Sequence, residues 1–253
     1  MLDRKTLLRP GKPVIYLALL AAAYALSYDG DVDGNLDFFH EGERLAHIDA
    51  IFDGKLPFRD VFVQHGLGEN VIKPVVACRL FGESVESLRR LGENSYIYRG
   101  YLPPLGLLAT MLAATAILRH PGIVAGTGLV LLTCLYEISD RQIFGFLSVA
   151  CLGMFIFSRR TWWLAAAGIL CALAALYSLE VGTYVAAAGL AWIALDSRPG
   201  MGGSSASELG RRGASFAGGL LIGFAPFLAW CLGHGILHDF GHNVYIQVFM
   251  RRY

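Results

Sequence analysis

WWLAAAGILCALAALYSLEVGTYVAAAGLAWIAL, residues 162–195, holds a single charged side chain, Glu180, in thirty-four positions. A helix needs about 20 mostly apolar residues to cross a hydrocarbon core of about 30 Å. The stretch is therefore read as membrane-embedded helix. Ser178 to Gly182 interrupts it, either as a tight turn between two spans, 162–178 and 181–195, or as the break in one broken helix. Outward from it, further apolar runs mark candidate spans at 13–28, 99–118, 122–138, 142–158 and 214–232. Apolar residues make up 55% of the 253-residue chain and charged ones only 16%, against about 25% charged in an ordinary soluble domain. The expected fold is all-α, a polytopic transmembrane helical bundle.

The run at 13–28 follows Arg4, Lys5, Arg9 and Lys12, and is read as an uncleaved first helix rather than a signal peptide. Five cysteines, at 78, 134, 151, 171 and 231, form no CxxC pair and read as small apolar fillers. A net charge of +1 offers nothing to a nucleic acid. Only GMGGSSASELGRRG, 200–213, reads as a flexible loop. Basic residues mark the cytoplasmic side of a membrane protein. The N-terminus, Arg119, Arg159-Arg160 and the stretch from Arg198 to Arg212 agree with one another. Residues 29–98 and 233–253 then lie outside.

The first outer loop, 29–98, is rich in acids. DGDVDGNLDFFHEG, 29–42, begins like a calcium loop with Asp29, Asp31, Asp33 and Gly34, but its twelfth position is His40 and the glutamate comes one place late. Wet, backbone-capping aspartates explain the first three. GERLAHIDAIFDG, 42–54, spaces Leu45, Ile48 and Phe52 as one face of an amphipathic helix at the membrane surface. Gly54 is its stop and Pro57 bars continuation. A second such helix is expected over 68–81, with Val71, Val75 and Leu80 on its apolar face and Gly82 at its end.

Asp37, His40 and Glu41 sit at the mouth of the first of these helices. A carboxylate there, close to the interface, is suited to accept a proton from a sugar hydroxyl or to hold a divalent ion against a phosphate. Arg59, Lys73 and Arg99 are candidate cations for that phosphate, or else interface anchors. Glu180 is an acid between two apolar runs, which marks it as functional unless a short outer turn exposes it. His234, His238 and His242 are four apart, but neighbouring glycines weaken a zinc site. Asn243 and Tyr245 are candidates to line an outer cavity.

The ordered set His40-Glu41-Gly42, Gly54-Lys55, Pro57-Phe58-Arg59-Asp60 and His65-Gly66, followed by SLEVG at 178–182 and DFGHNVYIQVF at 239–249, resembles membrane glycosyltransferases of the GT-C class. The likeness is to the bacterial branch similar to the protein mannosyltransferase and lipid A aminoarabinose transferase families. It implies a GT-C-like transmembrane domain over 1–253, with 29–98 as its catalytic extracytoplasmic loop. It implies a multi-pass protein of a bacterial inner membrane that moves a sugar from a polyprenyl-phosphate donor to a cell-envelope acceptor. The family acid falls on Glu41, where relatives often have Asp-Glu and this chain has His40-Glu41. Asp37 is the alternative and Asp60 the second acid of the loop. His40, Arg59, His65, Lys73, Arg99, Glu180, Asn243 and Tyr245 are the expected substrate-binding residues. A divalent cation (Mg2+, Mn2+ or Ca2+) on Asp37 and Glu41 is the alternative phosphate support. Family members commonly have more spans, so both a short enzyme and the N-terminal portion of a longer one fit. A transporter or flippase of a lipid-linked or small solute, and a non-enzymatic membrane assembly protein, are the competing classes.

Overall fold

A computed structural model describes residues 38–91, 140–196 and 205–250, together with positions 17, 18, 21, 22, 106, 107 and 111. The spans expected at 13–28, 99–118 and 122–138 fall outside these segments. The described segments are helical and contain no strand, in keeping with an all-α fold. Three helices come from the acidic loop: α1, Phe38–Phe52; α2, Lys73–Phe81, entered through a π-helical turn at Gly68–Ile72; and α3, Val85–Arg90. Four long helices follow: α4, Asp140–Ser158; α5, Trp162–Tyr177; α6, Leu179–Asp196; and α7, Ala206–Gly233. The last is α8, Leu237–Tyr245, which runs on as a π-helical segment, Ile246–Met250.

α1 ends where its sequence says it must. Gly54 takes φ +84, Lys55 N–H reaches back to the Ala50 carbonyl and Gly54 N–H to that of Ile51, both at 3.0 Å. This pair of bonds is a Schellman motif, and the left-handed residue at its centre favours glycine. The end of α7 repeats it, with Gly235 at φ +66 and Ile236 N–H on the Cys231 carbonyl at 3.0 Å. The apolar face of α1 is the expected one, but it packs on protein. Ile48, Ala77, Cys78 and Leu88 are buried together, with Leu45 and Phe52 against them. Arg79 lies 4.5 Å over the Phe52 ring. On α2 the expected face is only half right: Val71 is buried, whereas Leu80 is exposed and lines up with exposed Ile72 and Val76. Plain helical geometry accounts for this: Ile72, Val76 and Leu80 are four apart and form one stripe, whereas Leu80 follows Val75 by five residues and falls off the face that Val71 and Val75 share.

The long helices share a core of Leu152, Phe155, Leu164, Cys171, Ile193 and Phe216. The stretch 162–195 is two helices, not one broken helix. Ser178, in extended conformation, ends α5. Cys171 Sγ lies 3.4 Å from the Gly182 carbonyl, so α6 runs back along α5. α5 and α7 pack at backbone contact through Gly168, Gly219 and Gly223, the small-xxx-small spacing that lets helices approach closely.

The flexible loop expected at 200–213 is corrected over its second part, because α7 begins at Ala206; residues 200–204 lie outside the described residues. Ser205 Oγ caps it by accepting from Glu208 N–H at 3.3 Å, and Glu208 pairs with Arg212 one turn on at 2.6 Å. These local bonds outweigh the helix cost of Gly210 and Gly213. Among the described helices α7 alone is long and apolar enough to cross a membrane; Arg141–Ile156, Trp162–Tyr177 and Leu179–Leu195 are shorter apolar helices.

Gly219→Ala and Gly210→Ala should have opposite effects. A Cβ at Gly219 overlaps the Ala165 carbonyl oxygen, whereas nothing approaches Gly210. Thermal unfolding in detergent should show the first variant destabilised by about 1–3 kcal/mol. The second should be stabilised by up to about 1 kcal/mol, the helix-propensity gain.

Candidate functional site: a loop seated on a helical hairpin

Residues 53–67 connect α1 to the π turn and are laid against the α5–α6 turn. The His65 carbonyl accepts from Leu179 N–H at 2.8 Å. Gly66 and Gly68 lie directly on Tyr177, leaving no room for a side chain at either position. The loop is closed on itself by side chains. Buried Asn70 accepts through Oδ1 from His65 N–H at 2.7 Å and from Gly66 N–H at 3.2 Å. Asp60 Oδ2 accepts from Leu56 N–H at 2.9 Å, while Asp60 N–H returns to the Leu56 carbonyl at 2.9 Å. Within this small turn Phe58 adopts φ +71, a conformation uncommon for a bulky residue. Its ring is held edge-on by Phe240 at 5.2 Å and Phe227 at 5.8 Å. From the π-helical segment that continues α8, Gln247 Nε2 donates to the Val63 carbonyl and to Asn243 Oδ1.

Two apolar cavities lie beside the loop. The larger, about 730 Å³, is walled by Ile51, Leu56 and Ile72 from the loop side and by Phe144, Tyr177 and Trp230 from the helices. The smaller, about 360 Å³, is lined by Phe58, Val63, Phe240, Asn243 and Gln247 among others. Leu67 and Leu176 border both.

Three charge groupings lie on the loop and on the helices around it. Glu41 receives Arg89 from α3 through two bonds, Nε to Oε1 at 2.6 Å and Nη2 to Oε2 at 3.1 Å, with both side chains largely buried. Glu69, on the π turn, is buried and pairs with Arg141 of α4, while Arg44 of α1 stands 3.8 Å from the same oxygen. Asp60 pairs with Arg59 at 3.1 Å on the exposed rim. The hydrogen bond from Arg59, reinforced by the Leu56 N–H, holds the Asp60 carboxyl below its ordinary range.

The expected site residues are only partly gathered. Asp37 and Arg99 lie outside the described residues, and His40 is placed only as part of α1's first turn. His65 is half-buried at the seam. Glu180 sits exposed on the first turn of α6, next to the Leu179 that the His65 carbonyl binds. Asn243 is buried and borders the smaller cavity. Tyr245 is exposed and lines neither cavity; its ring is 5.3 Å from that of Phe249. Lys73 is half-buried where α2 begins. Glu41 and Asp60 face different partners.

Among the described residues no group of three or more His, Cys, Asp or Glu is placed to hold a metal ion. Glu41 does not fit a divalent ion as it stands, because both of its oxygens are engaged by Arg89. His238 and His242 stack at 6.5 Å, but His234 Nδ1 faces the Trp230 carbonyl at 2.9 Å. Glu69, Arg44, Arg141, Arg89 and Gln247 are the polar residues that pattern reading missed. A single glutamate in the apolar run LGENVIKPVVA, 67–77, was the one signal in the chain for the first of them. Compared with protein-family models, curated proteins and solved structures, the chain matches none.

Two measurements check this geometry. A double-mutant cycle on Glu41→Gln and Arg89→Gln should give a coupling of about 1–3 kcal/mol, as expected for a largely desolvated pair whose partners depend on each other. Carboxyl NMR of Asp60 should titrate below 3.8, the ordinary value. Because its folded pKa is depressed, its stabilisation is present above that value and disappears as pH falls through the folded one. Arg59→Gln should move the midpoint back up.

Proposed function

We propose that this chain is the membrane domain of a GT-C-like glycosyltransferase that takes its sugar from a polyprenyl-phosphate donor. In this reading α4, α5 and α6 are membrane spans beside α7, and the protein is a multi-pass protein of a bacterial inner membrane. Its acidic loop then faces the extracytoplasmic side. The observation that carries it is the larger cavity. An apolar groove of about 730 Å³ runs between an acid-bearing loop and the long helices, which is where a lipid tail belongs if its polar head is to meet the loop. The motif order across residues 38–82 and the basic-residue asymmetry of the loops support the same reading.

The chemistry asks little of the protein beyond placement. The acceptor hydroxyl attacks the anomeric carbon, the bond from that carbon to the phosphate oxygen breaks, and polyprenyl phosphate departs with the bonding pair. A phosphate is already a good leaving group. The protein must supply a base for the hydroxyl proton, positive charge for the departing phosphate and a site closed to water. Glu41 or Asp37 supplies the base. Glu41 must first release one oxygen from Arg89, so the pair is closed until substrate arrives. A divalent ion has no described ligand set here, and no step is assigned to one.

A transfer assay in membranes with defined polyprenyl-phosphate sugars tests the reading. Turnover should fall at least about 100-fold in Glu41→Gln or Asp37→Asn, the usual scale for losing a general base, and less in Asp60→Asn. Full turnover in all three variants overturns it.

A further inference from the structure

Glu69 is 3% exposed, yet it meets two arginines from elements far apart in the chain. Arg141, at the start of α4, pairs with Oε1; Arg44, from α1, lies 3.8 Å from the same atom. The arginines themselves are not sealed, at 29% and 26% exposure. A guanidinium carries five N–H donors and no acceptor, so one carboxylate oxygen leaves most of the donors of two guanidiniums unengaged by it. Burial sets this group apart: Glu208 also faces two guanidiniums, those of Arg211 and Arg212, but is 38% exposed, whereas Glu69 is buried.

Arg44, Glu69 and Arg141 do not themselves line the larger groove, but each has a neighbour on its own element that does. Gly68, beside Glu69, lines that groove, and so do Phe144, one turn beyond Arg141, and Ile51, two turns beyond Arg44. Cations and apolar space therefore lie on the same elements, one or two helical turns apart, which is the pattern an amphiphile with an anionic head requires. We infer that Arg44 and Arg141, held by Glu69, bind the phosphate of a lipid whose tail occupies this groove. Arginine pairs are well matched to phosphate oxygens because the planar fork gives two parallel bonds. Clamping by a buried carboxylate fixes the guanidiniums before the ligand arrives and lowers the ordering cost of binding. Arg59, by contrast, is an exposed residue engaged with its neighbour Asp60 on the rim. The inference rests on the lipid-donor reading for the tail and is independent of sugar transfer.

The test is calorimetric titration of the full chain in detergent with farnesyl phosphate, inorganic phosphate and farnesol. Wild type should bind farnesyl phosphate more tightly than either of the other two. Arg44→Gln should weaken that binding at least tenfold and leave farnesol unchanged. Arg141→Gln alone strands the buried Glu69 charge, so the paired variant Glu69→Gln/Arg141→Gln, with retained thermal unfolding, provides the second arm and should show the same loss. Undiminished farnesyl phosphate affinity in Arg44→Gln and in the folded paired variant overturns the site. Inorganic phosphate binding as tightly as farnesyl phosphate overturns the lipid assignment, as does farnesol binding equally well. Arginine-dependent binding without sugar transfer would sink the transferase reading and leave this site standing; transfer with arginine-independent binding would do the reverse.

Discussion

The contact of Gly66 and Gly68 with Tyr177 is the constraint from which the site follows. It brings the backbone of the acidic loop onto the end of α5 with no side chain between them. The His65 carbonyl then reaches Leu179 N–H and satisfies one of the donors that α6 leaves open at its start. Any bulk at either glycine would lift the loop and widen the seam. The two cavities, bordered in common by Leu67 and Leu176, exist as separate spaces because this seam is closed. Glu69 follows within the same turn, so its position at the α1–α4 junction is set by the same contact.

Around that seam the molecule separates its chemistry cleanly. Apolar groups fill the interior of the hairpin and of the small three-helix cap; of the buried charges, Glu69 sits where cap and long helices meet and Arg212 lies on α7 over the Phe155 ring. The wide exposure of Leu221, Ile222 and Leu232 on α7, and of Tyr184 and Leu190 on α6, is what an apolar surrounding permits. The ion pairs near the loop do a different job. Glu41 and Arg89 tie α1 to α3, and Glu69 with Arg141 ties the loop to α4. Burial makes each such pair costly to break, since a lone charge would remain.

Much of the helical order was legible because it follows local rules. The α1 face at Leu45, Ile48 and Phe52, its end at Gly54 and the run of α4 all follow from periodicity and from glycine's tolerance of positive φ. The start of α7 at Ser205 was also written locally, as Ser-x-x-Glu, but the surrounding glycines hid it. Leu80 was misplaced because it follows Val75 by five residues, which puts it on the stripe of Ile72 and Val76 rather than on the face of Val71 and Val75. The candidate site was less legible than the fold. His65 reaches the seam through its backbone carbonyl, Glu180 is exposed one residue beyond Leu179, and Asn243 borders the smaller cavity. Arg44, Glu69 and Arg141 acquire their meaning only when three distant helices meet, and no spacing along the chain encodes that meeting.

The bond from Gln247 to the Val63 carbonyl joins positions 184 residues apart, and it bears on how the molecule is made. At a synthesis rate of about 5–20 residues per second, the loop waits roughly ten to forty seconds between its own emergence and that of the side chain that latches it. During that interval Val63 must be covered by water or by a chaperoning surface, while the hairpin that seats His65 is itself still to come. Closure of the smaller cavity, which Val63 and Gln247 both line, thus waits on a side chain made long after the loop itself.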